Sequence, residues 1–100
     1  MPVAREQSAK RMMEDVIGCK WSLHVIALVR GGVKRPGAMQ RQIEGLTAKV
    51  LNERLRKLMR YGILSKVSFP EVPPRVEYCL TEFGQRFAKI VDRIEALDRR

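Results

Sequence analysis

Between positions 47 and 60 the chain carries cationic and amide side chains at helical spacing, Lys49, Asn52 and Arg56, led by Thr47 and Ala48. On a helix starting at Thr47 the first turn, Thr47 to Lys49, is the part that enters a groove, and Asn52 and Arg56 follow Lys49 along the outward face. Asparagine can pair bidentately with adenine, and arginine or lysine with guanine, so such a face suits the edges of base pairs. Further cations stand at Arg35, just before a proline, and at Lys66 and Arg75, on either side of the turn Phe69-Pro70-Glu71-Val72-Pro73-Pro74. Their expected chemistry is contact with phosphate or the minor groove, with Arg75 at the turn base the strongest of the three. Plainer roles compete with these. Thr47 can serve as a helix cap alone. Asn52 can be a solvated polar residue. Arg75 can pair with a nearby carboxylate, as can Lys66 with Glu77, each worth roughly a few tenths of a kcal/mol on a surface.

Little else in the chain could do chemistry. His24 is the only histidine, and Cys19 and Cys79 are the only cysteines. Their separation does not suggest a metal site, so no metal is expected. No nucleophile-base pattern, paired carboxylates or glycine-rich phosphate loop is present, so neither an enzyme nor a cofactor is expected. Cys19 lies at the start of a helix and beside Lys20, two features that favour thiol reactivity, which makes it a candidate redox sensor. The plainer reading, a small side chain filling an interior site, is favoured. Cys79 has no expected role.

The bulk composition bounds the partners. The chain has 100 residues, 20 Lys and Arg against 11 Asp and Glu, and a net charge of +9. That length suits a single domain spanning 1–100 with a small core rather than a deep catalytic cavity. The charge, with a pI near 10.3, calls for an anionic partner, either nucleic acid or an anionic membrane surface. Concentration of the cations on one helix beside a turn favours double-stranded DNA. No run of 18 apolar residues spans a membrane, and Met1–Ser8 lacks the apolar core of a signal peptide. A cytoplasmic protein with no membrane partner and no disulfide framework is therefore expected.

The surrounding elements follow from apolar periodicity. Residues 1–7 are polar and expected to be loose. A first helix runs from a Ser8 cap to Gly18, with Met12, Met13, Val16 and Ile17 on one face. A second, Lys20 to Arg30, is apolar nearly all round and should be the central core helix, with Trp21 packed in it. Trp21 could also line an effector pocket. Met12, Met13 and Met39 are core filler first and a soft pocket second. After a short extended piece, Pro36 opens a third helix to about Ile43. Thr47 caps the fourth, whose buried stripe is Leu51, Leu55 and Leu58, leaving Lys49, Asn52, Glu53, Arg56, Lys57 and Arg60 outward. Ile63–Phe69 and Arg75–Leu80 read as a hairpin, with Val76, Tyr78 and Leu80 on its buried face. Thr81 caps a last helix, in which Phe83, Phe87, Ile90, Ile94 and Leu97 follow at steps of four and three. A lone surface helix could use that seam to cover the domain core, but its length and position at the chain end favour self-association.

The resulting fold class is mainly α with a small β-hairpin. It has the order of a winged helix-turn-helix, with the helix-turn-helix at 36–62 and the wing at 63–80. The sequence also resembles the HxlR-type winged helix-turn-helix transcriptional regulators of bacteria, over residues 8 to 97. The marks are Asp15-Val16-Ile17-Gly18 leading into Lys20-Trp21, then Lys34-Arg35, then Leu55-Arg56-Lys57-Leu58 with Tyr61-Gly62-Ile63-Leu64. The most specific is Pro70-Glu71-Val72-Pro73-Pro74-Arg75-Val76-Glu77-Tyr78, closed by Leu80-Thr81-Glu82 and Gly84. The resemblance implies a homodimer formed by helices 8–17 and 81–98, through Met12, Met13, Phe83, Phe87, Ile90, Ile94 and Leu97. It implies a recognition helix in the major groove, a wing near the minor groove or backbone, and a palindromic operator. It also implies control of transcription, often repression, in response to a small-molecule effector or to redox or electrophile stress. One departure stands out: many members carry a cysteine where this chain has Ser8, and Cys19 stands where glycine is usual.

Two other function classes compete. An architectural DNA binder without effector control would use the same helix but select no defined operator. An interaction module built on the Phe83–Leu97 seam would show no DNA affinity at moderate salt.

Overall fold

Capping side chains set the helix starts. In the computed structural model, which describes residues 8–99, the Ser8 hydroxyl accepts from Arg11 N at 3.1 Å and opens α1, Ala9–Ile17. Helix α2, Ser22–Arg30, begins two residues later than expected, because Trp21 adopts a left-handed conformation, φ 72°. That conformation is unfavourable for a bulky residue and makes Gly18–Trp21 a tight connector rather than a helical turn. Helix α3, Pro36–Gln42, starts on proline, whose fixed φ and missing N–H suit the first turn. Helix α4, Ala48–Arg60, is capped by Thr47 Oγ1, which accepts from Val50 N at 3.2 Å. The expected loose segment 1–7 lies outside the described residues.

Strands β1, Leu64–Phe69, and β2, Arg75–Leu80, form an antiparallel hairpin in which Leu64 faces Leu80 and Phe69 faces Arg75. On the other edge of β2, Tyr78 N donates to Lys34 O at 2.8 Å, so the α2–α3 connector flanks the wing root. Gly62, φ 77°, makes the sharp turn from α4 into β1. Helix α5, Glu82–Ala96, is capped by Thr81, whose hydroxyl accepts from Gly84 N at 2.9 Å and donates to the Gly62 carbonyl. It ends in a 3-10 turn, Leu97–Arg99. Among the described residues no helix is long and apolar enough to cross a membrane.

The centre of the core is Val16 of α1, Val25 of α2, Met39 of α3, Leu51, Leu55 and Leu58 of α4, and Ile63 just before β1, all essentially inaccessible. Burying each such side chain stabilises by roughly 1.5–3 kcal/mol, enough to fix α3 and α4 on the scaffold. Among the described residues the architecture is the expected one, five α-helices and a two-stranded wing.

The apolar seam of α5 divides in two. Phe87 is 4% exposed and packs in the chain's own core with Ala88 and Val91, whereas Phe83, Ile90, Ile94 and Leu97 remain 39–62% exposed. Met12 is likewise buried at 7%. Phe87 and Met12 are therefore core residues of the protomer, a correction to their expected place in a dimer seam. The reason is angular. Gly84, Phe87, Ala88 and Val91 point at the domain, whereas Phe83, Ile90 and Ile94 project from the adjacent quadrant of the same helix and Leu97 from the 3-10 turn after it.

Candidate nucleic-acid interface

Helix α4 presents three faces. Leu51, Leu55 and Leu58 are sealed in the core. Lys49, Asn52, Glu53, Arg56 and Arg60 are exposed together on the opposite side, with Thr47 and Ala48 exposed at the start. The structure thus brings together the five residues expected to read bases. Thr47 also holds the cap, so its plainer role is occupied in fact. Glu53 places one carboxylate among these cations.

The third face was missed by reading the sequence. Arg54, Lys57 and Tyr61 recur at steps of three and four and turn toward α1 and its connector. Lys57 Nζ donates to Asp15 Oδ1 at 2.8 Å and to Cys19 Sγ at 3.4 Å. Tyr61 donates its hydroxyl to Asp15 Oδ2 at 2.6 Å. Arg54 Nε donates to Lys20 O at 2.8 Å. Lys57 is therefore not an outward cation, contrary to expectation, because the Asp15 carboxylate captures it. Hydrogen bonds from Lys57 and Tyr61 hold the Asp15 carboxyl below its ordinary range. The bond to Asp15 raises both Lys57 and Tyr61 above theirs. The signal was present in the sequence as a second polar stripe on α4, but its partner 42 residues away was not.

Cys19 is half-buried beside this cluster rather than enclosed in the interior, which corrects the packing role favoured for it. Trp21 is only partly buried against the core, with Lys20 Nζ 4.6 Å from its ring centroid.

The second cationic group lies between α3 and the wing. Arg35, Arg41 and Arg75 line one cleft of about 460 Å3, closed by Pro36, Gly37 and Pro74. Arg75 stands differently from its expected role as a free phosphate ligand. Its guanidinium pairs with Glu71 at 2.8 Å and Glu77 at 3.0 Å, and stacks 3.9 Å from the Phe69 ring centroid. Two carboxylates already neutralise it, so it braces the wing. Glu77 accordingly pairs with Arg75 and not with Lys66, which is exposed opposite Tyr78 on β1 and lines a different surface. Arg41, unremarked in the sequence, is the exposed cation that joins Arg35 in the cleft.

A helix-turn-helix with a cationic outer helix and an adjoining hairpin defines the winged helix-turn-helix class. The HxlR-like helix-turn-helix family model matches residues 16–100, and the chain belongs to that family. An uncharacterized HTH-type transcriptional regulator of Methanothermobacter thermautotrophicus is 40% identical over 78 residues, 78% of this chain and 60% of that one. The regulator YtcD of Bacillus subtilis is 34% identical over 80 residues, 80% of this chain and 64% of that one. The chain thus spans less than two thirds of the length of these relatives. Among solved structures, a MarR-family transcriptional regulator from Enterococcus faecalis V583 superposes with a TM-score of 0.84 at 32% identity, covering 93% of this chain and 84% of that one. The redox regulator HypR in its oxidized form gives 0.79 at 32% identity, covering 92% and 95%.

Proposed function

We propose that this chain is a sequence-specific, DNA-binding transcriptional regulator, acting in the cytoplasm as a homodimeric repressor on a palindromic operator. The observation that carries the reading is the outward face of α4, where Lys49, Asn52 and Arg56 stand exposed on a helix whose opposite stripe is locked in the core. In this reading α4 enters the major groove, with Thr47, Ala48 and Lys49 leading. Asn52 and Arg56 follow, and Arg35, Arg41 and Lys66 hold phosphates. Arg56→Ala then costs about 1–3 kcal/mol on the cognate site and less on random DNA. The domain is a single unit over 1–100, with 8–17 and 81–98 joining two copies through Met13, Phe83, Ile90, Ile94 and Leu97. Three of these side chains project from α5 and Leu97 from the 3-10 turn that follows it, together an exposed apolar stripe of a kind that a monomer rarely leaves open.

Cys19 is the thiol through which a redox or electrophile response would act. HypR is named a redox regulator, and the Cys19 sulfur touches the same Lys57 amine that holds Asp15. Modification at that sulfur would reach α4 through one side chain. The test is selection of bound duplexes from a random pool at about 150 mM salt, where non-specific phosphate binding is already weakened. A palindromic consensus with half-sites roughly 34 Å apart supports the reading. Binding without a consensus would replace it with the architectural one.

A further inference from the structure

A second cationic groove lies away from α3 and α4, neither of which contributes a residue to it. About 460 Å3 in volume, it opens between the end of α2, the Lys34 connector, β2 and α5. Its charged walls are Arg30, Lys34 and Lys89, with the Gln85 amide between them and Leu80 and the Cys79 thiol on the β2 side. Among the described residues no carboxylate lines it. Arg30 is held from outside the groove by a bidentate pair with Asp92, 2.8 Å at both contacts, which fixes the guanidinium. Lys34 and Lys89 form no ion pair among the described residues. Two uncompensated ammonium groups around a partly apolar floor are a poor arrangement for an empty groove and a good one for an anion.

Its position separates it from the other surfaces. Gln85 and Lys89 lie on the flank of α5 opposite the exposed Phe83, Ile90 and Ile94, so a second copy seated on that stripe leaves the groove open. The backbone of Lys34 accepts from Tyr78 N at 2.8 Å, so the wall carrying Lys34 is bonded to the wing root. A molecule bridging Lys34 and Lys89 would tie α5 to the base of the wing.

We propose that this groove is a binding site for a small organic anion, one acidic head with an apolar body of a few carbons. Lys34 and Lys89 hold the head, and Val29 and Leu80 receive the body. This deepens the effector-responsive reading above and rests on it only for the ligand's purpose, because binding is measured without DNA.

The test is an amide-resolved NMR titration of the full chain with hexanoate, hexyl phosphate and the neutral hexanamide at about 150 mM salt, a level that screens diffuse attraction. The expected result is saturable binding of one or both acids, with the largest shifts at Cys79, Leu80 and Gln85. Hexanamide should leave these amides unmoved. The Lys34→Gln/Lys89→Gln variant should weaken the acids at least tenfold, and Lys34→Arg/Lys89→Arg should restore them. Hexanoate alone binding would mark a carboxylate ligand, and hexyl phosphate alone a phosphate monoester. Shifts centred on α4, equal binding of hexanamide, or undiminished binding in the glutamine variant would overturn the site. So would a lower salt slope for DNA in the glutamine variant, since the two lysines would then be phosphate contacts.

Discussion

Lys57 Nζ lies 2.8 Å from Asp15 Oδ1, and that contact fastens the outer helix of the helix-turn-helix to α1 without passing through the apolar core. The same carboxylate receives Tyr61, and Arg54 holds the carbonyl of Lys20 one turn earlier on α4. The strained Trp21 connector is thereby pinned from the α4 side, so the attitude of α4 is referenced to the helix proposed to form the dimer.

Asp15→Ala is expected to destabilise the fold by about 1 kcal/mol, kept modest because the carboxylate is partly exposed. Its pH signature follows from the signs. Asp15 is held low, so its contribution is complete above the unfolded-state value of about 3.9 and fades as pH falls below it. Lys57 and Tyr61 are held high, so theirs is complete below about 10 and fades as pH rises through their folded-state values. Denaturant unfolding of native and Asp15→Ala chains should show a difference that is flat from about pH 5 to 9 and shrinks at both ends. A difference that grew toward acid would contradict the assignment.

Arg41→Ala is expected to lower the slope of log affinity against log salt by about one unit on any duplex, as the loss of one phosphate contact does. Arg75→Ala should leave that slope unchanged, because Glu71 and Glu77 already neutralise its guanidinium. Fluorescence anisotropy over a salt series separates the two. A unit drop in the Arg75 variant would show that the guanidinium exchanges its carboxylates for phosphate.

Ile94→Lys with Leu97→Lys should weaken self-association at least about 100-fold, since each apolar side chain buried contributes roughly 1.5–3 kcal/mol. Both side chains are exposed in the protomer, so helicity and melting of the separated chain should hardly change. Sedimentation equilibrium reads the outcome. A variant as dimeric as the native chain would move the seam elsewhere.

Gly84→Ala should destabilise by about 1–3 kcal/mol or more through overpacking. A methyl group there collides with the Ile63 carbonyl, which the first turn of α5 packs against. Thermal melting tests it, with Gln85→Ala on the open side of the same turn as the neutral comparison. Equal melting of the two would refute the close approach.

How much of this was legible can be seen element by element. Thr47 and Thr81 announced their helices because a cap acts on a neighbour three residues away. The Leu51-Leu55-Leu58 stripe marked a buried face, and the Val76-Tyr78-Leu80 alternation a face on which Tyr78 is buried and Val76 and Leu80 half-buried against the core, since periodicity is a local property of the chain. The outward set Lys49, Asn52 and Arg56 came from the same arithmetic.

The sequence by itself determined the elements, their order, the cationic face and the family. The tertiary structure alone decided which charges remained available. Lys57 left the outward face for Asp15, Arg75 was taken by Glu71 and Glu77, and Phe87 turned from the seam into the core. Arg41 joined Arg35 in the cleft only when α3 met the wing. Arg75 found its carboxylates within four residues of itself, a pairing the sequence already offered; for Lys57, Phe87 and Arg41 the physical reason is common. Helical spacing fixes a side chain's direction relative to its own axis, but its partner is set by how the axes pack, and that depends on contacts distant in sequence.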